Sequence, residues 1–225
     1  KMFIPLEKDG QGNKLTTLKE VVPGLEAFGY YEGAKGVSGD YFEFLPLETF
    51  QDPLLDDKAK LQKADNYAII KCDVSGKGVP AALVMGVIHG AVRSSGWTES
   101  VSAHEQESGR LNLLLCEKAS LTRYASMFWC YYEPLARRLC YVNAGHHAPL
   151  LVRERDHGVE IAPLDAGGPV LGLLPAARYE QARCDVRPGD VLVLYSDGLI
   201  EATNPAGEEY GESRLRELLA TAGAG

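Results

Sequence analysis

At 225 residues the chain is long enough to bury one sizeable hydrophobic core, and a single domain over residues 1–225 is the simplest organisation. Hydrophobic residues make up 45% of the sequence and charged residues 24%, which is typical of a globular protein. The net charge of −8 argues against nucleic acid as a partner, because nucleic-acid recognition requires a basic surface. An anionic phosphoester ligand would need a local source of positive charge, which bound metal ions would supply.

Cysteine usage and hydropathy indicate the compartment. The five cysteines are scattered and form no CxxC pair, which predicts reduced thiols rather than disulfides or a zinc site. No apolar run approaches the roughly 20 residues that a membrane-spanning helix needs. No signal peptide is visible either. We therefore expect a cytoplasmic protein with no membrane segment in this chain.

The basic residues change type midway along the chain. Residues 1–105 contain ten Lys and one Arg, whereas residues 106–225 contain one Lys and eleven Arg. Folding does not require such a change, since both cations serve equally well on most surfaces. Two interpretations stay open, a junction between two different sources near residues 104–109 and an ordinary drift in composition.

The first third of the chain predicts two strands and a loop. Residues 1–24 are polar and Gly-rich, and their structure is uncertain. Apolar and aromatic runs predict strands at 26–31 and 37–45. Two prolines and a charged tail predict a surface loop or insertion at 46–65.

The stretch AIIKCDVSGKGVPAALVMG, which occupies residues 68–86, organises the chain. It predicts an apolar strand at 68–72, an acid at the end of that strand (Asp73), a tight SGKG loop and a helix that begins at Val79 and Pro80. Proline suits the first position of a helix because its φ is already helical and its missing N–H is not needed there. A carboxylate in this position can cap the turn or bind a ligand.

The rest of the chain predicts more strands than helices. Helices are predicted at 109–121 and 212–221, and strands at 125–133, 139–143, 150–153, 179–186 and 191–195, with a bend at 144–149. Many antiparallel strands with helices in the middle and at the end favour an α+β sandwich. Periodicity alone supports only a mixture of α and β.

Four motifs give the chain its resemblance to a known family. They are GDYFEF at 39–44, DVSGKGVPAAL at 73–83, MFWCYYEPLARRLCYVNAGHHAPLLV at 127–152 and LYSDGLIEATN at 194–204. Together, and in this order, they resemble the bacterial SpoIIE-type branch of the metal-dependent protein phosphatase (PPM) family, over about residues 26–219. The resemblance implies an α+β fold in which two antiparallel β-sheets form a sandwich flanked by helices.

The resemblance also implies a site for two Mn²⁺ or Mg²⁺ ions and names its residues. Asp73 would bridge both ions, the backbone carbonyl of Val74 would complete one site, and Asp197 would bind the other ion. Asp40 would lie close to the pair and act as a ligand directly or through water. Carboxylates without clustered His or Cys select hard cations, and a bridging negative charge offsets the repulsion between two dications. The three aspartates are also the predicted catalytic residues.

Other residues near these motifs have weaker claims to a role. Lys77 could contact the substrate phosphate or could be an ordinary solvated loop lysine. The SGKG loop is not a nucleotide P-loop, because Gly78 follows the lysine where Ser or Thr is required. Asn143, His146 and His147 are predicted to shape the bend rather than to bind metal.

By this resemblance the chain would be a metal-dependent serine/threonine phosphoprotein phosphatase, a phosphoric monoester hydrolase that acts through a metal-activated water. The typical substrate in this branch is a phosphorylated anti-anti-sigma factor of the STAS fold, in a partner-switching pathway that controls transcription. The alternative is a catalytically weak or inactive pseudophosphatase that serves as a protein-binding regulatory module. The sequence leaves a homodimer open.

One departure from the family concerns the end of the chain. SpoIIE-type domains end in a strand with an acidic pair that contributes a metal ligand, but after Asp197 this sequence has five Glu and no Asp. We therefore expect a sandwich that lacks the last strand. Either the sequence is truncated or the site has one ligand fewer, and in both cases we expect low activity.

Overall fold

The computed structural model describes residues 7–8, 14–15, 17–22, 25–30, 39–47, 54, 66–94, 103–117, 124–156 and 158–222. The strands of the first part are β1 (Glu7–Lys8), β2 (Lys14–Leu15), β3 (Thr17–Val22), β4 (Leu25–Tyr30), β5 (Tyr41–Pro46) and β6 (Tyr67–Val74). Those of the second part are β7 (Ala125–Glu133), β8 (Arg138–Ala144), β9 (Leu150–Arg155), β10 (Gly158–Pro163), β11 (Gly167–Gly168), β12 (Ala182–Asp185) and β13 (Val191–Val193). The helices are α1 (Val79–Ser94), α2 (Ala103–Glu117), α3 (Asp197–Ile200) and α4 (Gly211–Ala222).

Two β-sheets organise the described residues. The larger sheet has six strands in the order β11-β8-β7-β6-β5, with β12 also paired to β8. All its pairings are antiparallel except the short one between β11 and β8. The smaller sheet has the antiparallel order β10-β9-β13, and β1–β2 and β3–β4 form separate pairs. The predicted α+β class with antiparallel sheets is therefore confirmed.

The two faces of the six-stranded sheet pack against different layers. On one face, Ile70 and other strand residues form a core with Ile88 and its neighbours on α1 and α2. On the other face, Tyr67 and Phe128 pack against Leu151 of the smaller sheet. Each fully buried side chain of this size stabilises the fold by about 1.5–3 kcal/mol. The larger sheet is thus covered on both sides.

Helix α4 covers the outer face of the smaller sheet. Its buried Leu215 packs with Leu150 of β9 and with Tyr195, which follows β13. The described residues therefore form four layers, with helices outside and two sheets inside. Because β7 is buried on both faces, its sequence ASMFWCYYE is apolar almost throughout and does not alternate with polar residues.

Helix α1 begins at Val79, as the Val-Pro pair predicts. Its buried residues Ala81, Val84, Ile88 and Val92 recur at intervals of three and four, so they form one face that packs on the sheet. Strand 125–133 and the bend at 144–149 also lie where the sequence predicts them.

The observed bounds of helix α2 contradict the prediction. The sequence predicts a helix at 109–121, but α2 begins six residues earlier and ends at Glu117. The error has a physical cause, because polar His104 and Ser108 occupy buried positions of the helix. The His104 ring lies edge-on to Trp129 with ring centroids 5.5 Å apart, and Ser108 Oγ accepts a hydrogen bond from Trp129 Nε1 at 3.1 Å. Hydrophobic periodicity cannot detect such a polar core face.

Other predicted bounds are corrected by smaller amounts. Strand β6 continues to Val74, so Asp73 lies inside the strand rather than after it. The strand predicted at 179–186 is shorter and spans only Ala182–Asp185, and the strand predicted at 191–195 ends at Val193. Strand β10 and the short helix α3 have no counterpart in the prediction. Most of the predicted loop at 46–65, and residues 37–38 of the predicted strand, lie outside the described residues. Among the described residues, no helix is long and apolar enough to cross a membrane.

Asn112 fixes a loop to helix α2. Its side chain is fully buried, its Nδ2 donates to the Leu174 carbonyl at 2.9 Å, and its Oδ1 accepts from the Gly172 N–H at 2.9 Å. Substitution would leave two backbone groups without these partners, at a position where the Asn112 side chain itself is fully buried.

We expect Asn112→Ala to lower the free energy of unfolding by about 2–4 kcal/mol, because each buried group that loses its partner costs about 1–3 kcal/mol. Chemical denaturation measures this change. The control is Asn204→Ala, which removes three hydrogen bonds from an exposed turn. Water replaces those bonds, so we expect a loss below about 1 kcal/mol. Equal losses would contradict this role of Asn112.

Candidate functional site

The site lies at one end of the six-stranded sheet, on the face that points toward the smaller sheet. In β6, Cys72 and Val74 belong to the core on the helix side. Successive side chains of a strand point to opposite faces, so Lys71 and Asp73 point toward the smaller sheet. Both are half-buried, whereas Cys72 and Val74 are fully buried. The alternation of the strand therefore separates a charged row from an apolar one.

Strand register brings polar residues level with Asp73. Tyr41 pairs with Cys72, so Asp40, which precedes Tyr41, comes level with Asp73. On the other side Asp73 pairs with Ser126 of β7. The end of the sheet thus carries Asp40, Asp73 and Ser126 in one row across three neighbouring strands.

Gly39 lets the segment before β5 approach the end of β6. A Cβ atom at this position would lie 2.7 Å from the Val74 carbonyl oxygen and 3.3 Å from Cβ of Ala81. Such distances are shorter than van der Waals contact allows, so the backbone requires glycine here. The Gly-Asp pair of the sequence therefore has a packing reason for its glycine and places Asp40 beside the end of the strand.

Asp197 reaches the same region from the smaller sheet. Tyr195, which follows β13, is buried, and the chain then turns into the short helix α3, of which Asp197 is the first residue. Asp197 itself is exposed. Its negative charge is close enough to Asp73 to raise that residue's pKa. The two sheets therefore place acids on both sides of the gap between them, which is bordered by Asp40, Asp73 and Asp197 and is called the mouth below.

The ionised form of Asp73 is disfavoured by its surroundings. Burial, together with the charges of Asp40 and Asp197, raises the pKa of Asp73 from its ordinary value of 3.8 to about 6. Lys71 and His147 act in the opposite direction. A carboxyl group whose ionised form is disfavoured by two neighbouring acids is well suited to bind a cation.

Lys71 forms an ion pair at the centre of the row. Its Nζ lies 2.5 Å from Oδ1 of Asp40, and its side chain is only 12% exposed. The partner carboxylate is 24% exposed. This ion pair is partly shielded from water, so it is stronger than a typical surface pair.

Two histidines of the bend complete the surroundings of the acids. Ser126 Oγ and His146 Nδ1 are 2.9 Å apart, and His147 stacks on Tyr195 with ring centroids 5.8 Å apart. Burial, together with the nearby charge of Lys71, lowers the pKa of His146 to about 4. His146 is therefore neutral at physiological pH.

The bend itself is held by Asn143. Its Oδ1 accepts a hydrogen bond from the His146 backbone N–H at 2.7 Å, and its Nδ2 donates to the Leu164 carbonyl at 3.2 Å. Gly145 has a φ of 68° and lies against Val170, so it too is required at this turn. The structural role predicted for Asn143 is confirmed.

Lys77 lies apart from this row. It is exposed in the turn between β6 and α1, flanked by Gly76 and Gly78, both of which have positive φ. Ser75 ties the turn to Tyr124, whose backbone N–H donates to Ser75 Oγ at 3.0 Å. The turn is thus fixed at its base, while the lysine side chain extends into solvent.

Sequence analysis identifies the acids of the site but misses residues that surround them. The charges of Asp40 and Asp197 both act on Asp73, and the Val74 carbonyl lies beside Gly39. Lys71 is not among the predicted site residues, although its position two residues before Asp73 places it on the same face of the sheet. Ser126 could not be found in this way, because its place opposite Asp73 depends on strand register.

The donor set fits a hard divalent cation in its chemistry. Carboxylate and carbonyl oxygens are the ligands that Mg²⁺ and Mn²⁺ prefer. Among the residues that the structure describes, however, no group of three or more His, Cys, Asp or Glu side chains is close enough to hold a metal ion. The acids are near neighbours whose side chains do not yet converge, and one of them pairs with Lys71.

The four-layer fold with acids between its two sheets defines the class of PP2C-like phosphatase folds. Residues 63–225 match the family described as Stage II sporulation protein E (SpoIIE), and the chain belongs to this family. Family membership implies dependence on a divalent metal. The resemblance inferred from the four motifs is thereby confirmed.

Known relatives agree with this assignment. The phosphoserine phosphatase RsbU of Bacillus subtilis is 30% identical over 174 residues, which cover 77% of this chain and 46% of that protein. The chain therefore spans less than half of that relative's length. The crystal structure of RsbX in complex with magnesium matches with a TM-score of 0.59 at 17% identity and covers 91% of both chains. The structure of the PP2C phosphatase domain and a fragment of the regulatory domain of Bacillus subtilis SpoIIE matches with a TM-score of 0.55 at 18% identity, over 83% of this chain and 49% of that chain.

The raised pKa of Asp73 gives a pH-dependent prediction for the metal-free protein. Between about pH 4 and pH 6 the folded chain keeps a proton that the unfolded chain has released, so this residue's contribution to stability falls as pH rises through that window. Asn mimics the protonated carboxyl group at every pH. With a chelator present, we expect Asp73→Asn to raise the melting temperature above that of the wild type at pH 7.5, and the difference to vanish near pH 4.

Asp156→Asn is the matched control, because Asp156 lies in an exposed turn. We expect its melting temperature to follow that of the wild type at both pH values. If Asp73→Asn showed the same difference from the wild type at pH 4 and at pH 7.5, the raised pKa that burial and the two neighbouring acids give Asp73 would not be its cause.

Proposed function

We propose that this chain is a metal-dependent serine/threonine phosphoprotein phosphatase, which hydrolyses phosphoserine and phosphothreonine. The observation that carries the proposal is the electrostatic coupling of Asp40, Asp73 and Asp197 at the mouth between the two sheets, in a member of the SpoIIE family. The relative RsbU, which is named a phosphoserine phosphatase, supports the assignment of the reaction.

We assign the catalytic and metal-binding roles from the family resemblance, and the positions of the acids support this assignment. When bound, two Mn²⁺ or Mg²⁺ ions supply positive charge for the phosphoryl group and activate water for in-line attack. Asp73, central in the row, would be a ligand shared by both ions. The Val74 carbonyl and Asp40 would hold one side of the pair, and Asp197 would hold the other from the smaller sheet.

The chain's own residues also shape the approach of the substrate. The mouth between the sheets is rimmed by acids, and the chain carries a net charge of −8, so a phosphoester is repelled until cations are bound. Lys77, exposed in the turn after Asp73, is placed to contact a phosphoprotein only at its periphery. We therefore assign it a minor role in substrate binding.

The physiological substrate that we propose is a phosphorylated STAS-domain anti-anti-sigma factor in a bacterial partner-switching pathway. The support is the similarity to RsbU and membership of the SpoIIE family, which together favour a protein substrate over a small phosphoester. Activity on a phosphoserine protein that exceeds activity on p-nitrophenyl phosphate would support this substrate class.

A pseudophosphatase that binds a partner without turnover is the second candidate. The observation that favours it is that the described acids do not converge into a metal-holding group and that Asp40 pairs with Lys71. The two candidates differ in one measurement. A pseudophosphatase would show no Mn²⁺-dependent release of phosphate from any phosphoserine protein, whereas the phosphatase would.

We expect Asp73→Asn to lower phosphatase activity at saturating Mn²⁺ by at least about a hundredfold, because it removes charge from the residue assigned to both ions. Lys77→Ala should lower activity by less than about fivefold, since this exposed side chain is at most a peripheral contact. Initial rates of phosphate release from a phosphoserine peptide measure both effects.

Asp156→Asn provides the control, because it removes a carboxylate far from the three acids in sequence and exposed in a turn. Its rate should equal that of the wild type. Near wild-type turnover by Asp73→Asn at saturating Mn²⁺ would show the two-metal assignment to be wrong. A larger loss for Lys77→Ala than for Asp73→Asn would move the phosphate-binding role to the turn.

A further inference from the structure

Lys71 is an unusual residue to find inside the acidic site. It points from the middle of the sheet toward the smaller sheet and is almost entirely shielded from solvent, with 12% of its side chain exposed. A buried ammonium group is costly unless it is paired. Its Nζ lies 2.5 Å from Oδ1 of Asp40, which provides that partner.

The strand neighbours of Lys71 explain why its charge is directed to the acids. Register places Lys71 between Phe42 of β5 and Phe128 of β7, and Phe128 is fully buried. The aliphatic part of the side chain can therefore pack on aromatic rings while the ammonium group extends toward the end of the sheet. Its charge also acts on Asp73 and on His146, so it lies within electrostatic range of the whole row.

We propose that Lys71 is an internal counter-ion of the acidic site, which competes with a divalent metal ion for the carboxylate of Asp40. This inference rests on the proposed metal-dependent function. The ammonium group donates a hydrogen bond to Oδ1 of Asp40, and a metal ion would need lone pairs of that same carboxylate. An ammonium group in contact with Asp40 would also repel a dication bound there.

The counter-ion gives the metal-free protein a stable site. Without it, Asp40 and Asp73 would lie level on neighbouring strands with repelling charges that water only partly screens. With it, the Asp40 side of the site takes a metal ion only when the ammonium group withdraws. Occupancy of that side is therefore weak, and it responds to anything that moves Lys71 or β5.

Lys77 offers a matched comparison within the same segment. Both lysines are close to Asp73 in sequence and carry the same charge, but Lys77 is exposed in the turn whereas Lys71 is half-buried and paired with Asp40. A general reduction of positive charge near the site would affect metal binding similarly in both variants. If Lys71 competes with the metal ion for Asp40, only the Lys71 variant will bind metal more tightly.

Calorimetric titration with MnCl₂ tests the inference on the wild type, Lys71→Met, Lys71→Arg and Lys77→Met. Methionine keeps the length and apolar packing of Lys71 without its charge. We expect Lys71→Met to tighten the weaker Mn²⁺ binding step by at least about tenfold, since one adjacent charge commonly shifts an ionisation equilibrium by about 1–3 pKa units. Lys71→Arg should stay as weak as the wild type, and Lys77→Met should change affinity by less than about twofold.

Thermal melting separates competition from a merely structural role. Lys71→Met should melt below the wild type in a chelator and recover in saturating Mn²⁺, because the dication then supplies the missing positive charge. An equal loss in both conditions would overturn the counter-ion role, and so would Mn²⁺ affinity no tighter than that of the wild type. If the wild type binds Mn²⁺ and hydrolyses phosphoserine, such a result leaves the proposed function intact. If neither the wild type nor Lys71→Met binds Mn²⁺, both the inference and the metal-dependent function are contradicted.

Discussion

The burial of one carboxylate, Asp73, beside two further carboxylates at one end of the sheet is the constraint on which the site depends. Asp73 lies on a strand covered on both faces, with Asp40 level with it and Asp197 across the mouth, and its pKa rises to about 6 as a result. Such an arrangement is unfavourable for the fold by itself. Positive charge must offset it, from Lys71 within the chain or from metal ions, and this requirement links folding to ligand binding.

The fold supplies the rigidity that this arrangement needs. Strands β5, β6 and β7 fix the spacing of the row through continuous pairing, and the smaller sheet delivers Asp197 from the opposite side. The close approach of Gly39 to Val74 holds the first acid against the central strand. The Cβ atom of Ala81 also lies beside Gly39, so helix α1 contributes to the same contact.

Sequence predicts the parts of this protein in which one local pattern decides the structure. The Val-Pro start of α1, the apolar run of β7 and the acids after apolar runs follow from local chemistry. The start of α2 does not, because His104 and Ser108 are buried polar residues whose hydrogen bonds and ring contacts form only in the folded structure. The place of Ser126 opposite Asp73 does not follow either, because it is a property of two paired strands. Tertiary contacts decide both.

The central claim is that the three aspartates hold a divalent cation between the two sheets. Anomalous X-ray diffraction from crystals soaked in MnCl₂ tests it most directly, because manganese can be located independently of the protein model. The account predicts an anomalous peak about 2.0–2.6 Å from a carboxylate oxygen of Asp73, the range of hard divalent metal–oxygen distances, with Asp40 or Asp197 in its ligand shell. A fully occupied manganese site elsewhere, with no peak at Asp73, would contradict it.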